Sequence, residues 1–121
     1  AEALDLHRRS ERICRAGVPG RTADVMAMYQ AVARQQIGND LAALERWYEA
    51  ETPLRQALAA FDAAQMPAWS EQARLDLGRV LGATGHPEAR QALTTAHEAL
   101  AAMRSPRQAE AAEALAALDG A

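Results

Sequence analysis

Six short breaker clusters cut this chain into lengths that suit helices and little else: Gly17-Val18-Pro19-Gly20, Gly38-Asn39-Asp40, Thr52-Pro53, Met66-Pro67-Ala68, Gly85-His86-Pro87 and Ser105-Pro106. Glycine permits the left-handed backbone that ends a helix, and proline cannot continue one. The pieces between are rich in Ala, the best helix former, and lack the Val, Ile, Thr and Tyr runs that strands favour. The chain therefore predicts an all-helical fold of six or seven helices.

The first helix is expected over Ala1 to Ala16, with Leu6, Ser10, Ile13 and Gly17 on one apolar face beside Ala3 and Cys14. Thr22 is read as the N-cap of a second helix carrying Val25, Met28, Tyr29, Val32 and Gln36 as its stripe and ending at Gly38. A third runs from Leu41 to about Glu51. Thr52-Pro53 is a helix start signal, so a new helix is placed over Pro53 to Gln65. The alternative, one helix kinked at Pro53, stays open. Ser70 is expected to cap a hairpin. Ala73, Leu77, Val80, Leu81 and Thr84 line its first helix, and Ala89, Leu93, Ala96, Leu100 and Met103 line its second. Ser105-Pro106-Arg107-Gln108 reads as a capping box before a last helix that buries Ala112, Leu115 and Leu118. Short turns make neighbouring helices antiparallel.

The hairpin from Ser70 to Met103 resembles a tetratricopeptide repeat. The resemblance rests on Leu77, Gly78, Leu81, Gly85, Ala89, Leu93 and Ala96, a pattern of small residues that let two backbones approach and large ones that fill the gaps. The turn is a residue short of that pattern, and the second helix runs on to Pro106. The segment Thr22 to Gln65 matches only at Ala31 and Gly38. The opening stretch, Ala3 to Cys14, is similar to the second helix of such a repeat in large bacterial regulators that couple an ATPase or DNA-binding domain to a helical-repeat array. The resemblance implies a short solenoid of stacked antiparallel hairpins with a C-terminal capping helix, residues 1–121 forming one helical-repeat domain.

A net charge of −3 and a pI near 5.6 argue against direct contact with nucleic acid. One cysteine, Cys14, rules out an internal disulfide. No apolar run approaches the roughly 20 residues that cross a membrane, and no signal peptide opens the chain. The expected setting is cytoplasmic, as a piece of a longer protein. His7, His86 and His97 are scattered, and no Glu-x-x-His or glycine-rich phosphate loop occurs. No metal, cofactor or catalytic residue is expected.

The expected function is thus a non-catalytic protein-interaction module, with a protein or peptide partner and room for self-association. A repeat array lines its concave side with first helices, which puts Gln72, Asp76, Arg79 and Arg34 forward as partner-binding residues. The alternative is a helical small-molecule domain whose pocket is built from the central aromatics Tyr29, Trp47, Tyr48 and Trp69, with Phe61 nearby.

Overall fold

A computed structural model describes residues 2–17, 20 and 22–120. Among them lie six helices and no strand: α1 (Glu2–Ala16), α2 (Ala23–Ala43), α3 (Trp47–Ala63), α4 (Pro67–Ala83), α5 (Ala89–Ala102) and α6 (Gln108–Gly120).

The turns from α2 onward are built one way. Glu45, Gln65, Gly85 and Arg104 each take a left-handed φ, between 55° and 71°. The next residue's N–H then reaches back to the carbonyl of Leu41, Phe61, Leu81 or Leu100, at 2.9, 3.1, 2.8 and 2.9 Å. This is a Schellman closure, which satisfies carbonyls that a helix end leaves open. Three of the four left-handed residues are not glycine and carry a cost of about 1–2 kcal/mol each. The chain tolerates that cost because the residue anchoring each turn is a buried apolar one.

Each helix packs on its neighbour in sequence, and α2 also touches α4 while α4 touches α6. No such contact joins α1 to α3 or α3 to α5. The even-numbered helices are therefore the more tightly spaced row. The core runs continuously between the rows, through Leu4, Ile37, Leu41, Leu54, Leu77 and Leu81 to Leu93 and Leu100. Gly38 and Gly78 set the spacing within hairpins. A methyl added at Gly38 would strike Leu54, and one at Gly78 would lie 2.7 Å from Leu93 Cδ2.

Several expectations need correction. Gly38 does not end α2; the helix runs on to Ala43, and Pro53 lies inside α3. Gly38 is small because Leu54 packs on it, and tertiary contact holds the helix through Pro53 despite the lost N–H. Ser70 is not a cap. Pro67 opens α4, and Ser70 is buried in its first turn. The stripe foreseen on α1 points away from the other helices, with Leu6 53% and Ile13 51% exposed, while Leu4 and Glu11 are buried. The α2 stripe was likewise misplaced: Val25, Tyr29 and Gln36 are exposed, and Met26, Ala31, Ala33, Gln35 and Ile37 are buried. A helix touched by three others buries more than one face. On α6, Ala111 is buried and Ala112 exposed. Thr22 caps α2 as expected, its Oγ1 accepting the Val25 N–H at 3.3 Å. Ser105 Oγ accepts the Arg107 N–H at 3.1 Å. Val18, Pro19 and Arg21 of the first turn lie outside the described residues.

Candidate functional site

The even-numbered row is laced by one polar network. Asp76, midway along α4, is buried to 4% exposure, where a carboxylate survives only with a full set of donors. Two come from α2, one helical turn apart: Gln35 Nε2 at 3.0 Å and Asn39 Nδ2 at 3.1 Å. The third is Arg107, just before α6, whose guanidinium donates to Asp76 Oδ1 at 2.7 Å and to Glu110 at 2.9 Å. Burial disfavours the Arg107 charge, but the bonds to Asp76 and Glu110 outweigh it and hold its pKa above the ordinary guanidinium value. Glu110 is held below the usual carboxylate range, chiefly by the Arg107 bond, with burial opposing. Among the described residues, no buried side-chain polar atom lacks a partner.

Two clefts open on this face. One, of about 580 Å³, has Asp76 and Val80 at its base and Asn39, Trp47, Arg79 and Arg107 around it. The other, of about 640 Å³, lies between α4 and α6 over Leu93, with Gly82, Ala114 and Leu118 on its walls and Glu110 and Glu113 at its rim. Arg79 belongs to both. Its side chain is 54% exposed, and its contact to Glu110 is long, at 3.4 Å. Arg107 is committed to two carboxylates; Arg79 is available to a partner from outside.

The residues singled out from the sequence separate on this map. Arg79 stands at the centre of the face, and Gln72 is half-buried on the same helix. Asp76 is not a contact for a partner, since its oxygens are consumed by three internal donors. Arg34 faces α1 instead, 3.4 Å from buried Glu11, which also accepts from Gln30 at 3.0 Å. The aromatics do not converge on one pocket. Trp47 lines the first cleft, whereas Trp69 packs on buried Phe61 with ring centroids 5.5 Å apart. Trp47 and Phe61 are fourteen residues apart on α3, about 21 Å of helix. Tyr29 is 50% and Tyr48 80% exposed, away from both clefts.

Gln35, Asn39, Arg107 and Glu110 were not foreseen. Their trace in the sequence is polar residues one helical turn apart, Gln35 with Asn39 and Arg107 with Glu110, on otherwise apolar helices. Which carboxylate they serve depends on the register between helices, which a single helix does not carry. The histidines have local roles. His7 pairs with Asp40 between α1 and α2, and His86 Nδ1 accepts the Glu88 N–H at 3.1 Å. No group of three or more His, Cys, Asp or Glu suited to a metal ion occurs among the described residues, and none of their helices is long and apolar enough to cross a membrane.

Comparison with known protein families, with curated proteins and with solved structures finds no match to this chain.

Proposed function

We propose that this chain is a protein-interaction module of tetratricopeptide type, which holds an extended segment of a partner along the α2–α4–α6 face. The observation that carries the reading is the placement of Arg79, half in water between two adjoining clefts on the more tightly spaced row. A guanidinium fixed on a rigid helix can grip a partner carboxylate with two parallel hydrogen bonds. The Ala-walled cleft beside it suits a neighbouring apolar side chain. The buried Asp76 network supports the same reading, because it holds three helices in register and so presents a preformed surface. The likeness of Ala3 to Cys14 to repeat arrays of bacterial regulators supports such a regulator as the parent protein.

A second reading, a small-molecule site, is favoured by Trp47 in the first cleft, whose volume lies within the usual range for ligand pockets.

A displayed random-peptide library selected on the chain, followed by titration of the selected peptide, tests the proposal. Arg79→Ala should weaken binding about tenfold, roughly 1.4 kcal/mol, and leave the thermal midpoint unchanged. Tyr48→Ala, a change at an exposed residue off the face, should do nothing. Equal binding by the Arg79→Ala protein would sink the peptide reading, and loss on Trp47→Ala alone would favour the small-molecule one.

A further inference from the structure

Helix α1 turns its large apolar side chains toward no other helix. Gly17, at φ 86°, closes it by donating its N–H to the Ile13 carbonyl at 3.1 Å. In α3 and α5 the left-handed residues Gln65 and Arg104 likewise stand four residues after Phe61 and Leu100. Ile13 therefore holds the helix position of Phe61 and Leu100, and Leu6, seven residues earlier, holds that of Leu54 and Leu93. Those four are at most 1% exposed, with Leu54 and Leu93 seated on Gly38 and Gly78 of the preceding helix. The face that α3 gives to α2, and α5 to α4, is in α1 given to water.

Helix α6 presents the other half of that contact. In α2 and α4 a buried alanine, Ala33 or Ala73, comes five residues before the glycine that receives a leucine. In α6, Ala111 is fully buried and Ala116 follows five residues later. Ala116 is exposed, as are Ala109 and Ala112 on the same side. Where α2 carries α3, and α4 carries α5, α6 carries nothing among the described residues.

We propose that α1 of one copy seats antiparallel on α6 of a second copy, Leu6 on Ala116, so that copies join head to tail. The contact continues a pairing already made twice inside the chain. Charge agrees with this register: with Leu6 level with Ala116, Arg9 falls level with Glu113 and Arg12 with Glu110. Exposed pairs of this kind contribute little energy but select the register. The Ala116 methyl, absent at Gly38 and Gly78, makes the seat shallower, so the association is weaker than the internal contacts. Because unlike surfaces meet, two copies leave one of each free, and the assembly extends rather than closing.

Sedimentation equilibrium of the 121-residue chain, from low micromolar to millimolar concentration, should show a mass rising from 13.0 kDa. Leu6→Asp and Ala116→Arg should each hold it at 13.0 kDa with thermal midpoints unchanged, since both side chains are exposed. Mixed together, these two variants should give a species of twice that mass and no larger, because each retains one working end. Ile13→Asp replaces Leu6→Asp should the latter lower helicity. A mass of 13.0 kDa throughout the range overturns the proposal, as does association that survives Ala116→Arg, which would mean that α1 meets α1.

Discussion

Gly38→Ala is the substitution whose outcome the structure defines most narrowly. On an exposed helix the change stabilises by about 1 kcal/mol, because Ala has the higher helix propensity. Here the new Cβ would fall on Leu54 Cγ, with Cδ2 at 2.7 Å and Cδ1 at 3.1 Å. Ordinary carbon contacts lie near ~3.5–4.0 Å. The group struck is the branch point of Leu54, not its flexible end, and Leu54 is fully buried. Either α3 moves away or Leu54 leaves its rotamer, at a cost of about 1–3 kcal/mol. Since the branch point is hit, the upper part of that range applies, and the net result is a loss of about 1–2 kcal/mol. Gly82→Ala is the control, because its nearest neighbour is the far end of half-buried Leu118, Cδ2 at 3.1 Å. It should be neutral or stabilising by up to ~1 kcal/mol. Urea denaturation with a constant m-value reads both changes. Adding Leu54→Ala to Gly38→Ala should cost less than the sum of the two, with a coupling of about 1–3 kcal/mol. A Gly38→Ala protein more stable than the parent would refute the close approach of α2 and α3 and the argument drawn from it.

Asp76→Ala removes the acceptor of two amides and one guanidinium, and should cost about 2–4 kcal/mol by the same assay. Arg107 keeps Glu110, so Asp76→Ala should cost less once Arg107 is also Ala; equal costs in both backgrounds would show that the pair is uncoupled. Glu110 has its pKa lowered in the folded state, so its contribution is present above the ordinary value of 4.5 and is lost as pH falls through the lower, folded value. Glu110→Gln should therefore flatten the loss of thermal stability below about pH 4.5, by a small amount because the side chain is 44% exposed. An acid limb identical to the parent's would count against the Arg107–Glu110 bond.

Helix termini were legible wherever a local signal sufficed. Thr22, Gly85 and Ser105 act through groups within three residues or so of themselves, and each does what its type suggests. Gly38 and Pro53 were misread because their roles are decided by another helix. The true end of α2 was hidden by Glu45, which takes the left-handed backbone without being glycine. A different pattern would have revealed it. Leu41, Phe61, Leu81 and Leu100 recur at nearly constant spacing, each followed two residues later by Ala43, Ala63, Ala83 or Ala102 and four residues later by the left-handed position. Aligning those helix ends places the turn at Glu45 from the Gly85 example alone. For the site, Arg79 was legible as an outward cation on a first helix. Asp76 was not, because polarity on a helix face does not say whether water or a third helix lies opposite.

The side-by-side order of the helices also governs how the chain reaches this state. The most distant side-chain hydrogen bond among the described residues, Gln35 to Asp76, joins positions 41 apart, and helices meet only their nearest or next-nearest successors. Closing such short loops costs little entropy, and each doubling of length adds only about 0.6 kcal/mol. A chain with contacts this local folds fast, on the scale of microseconds to milliseconds. It also has no need of a single founding nucleus, since either inner hairpin can form first and recruit the next helix. Unfolding runs in reverse from the ends, where α1 and α6 lean on fewer neighbours than α4 does, so the chain loses its structure by fraying inward and α4 is the last helix to let go.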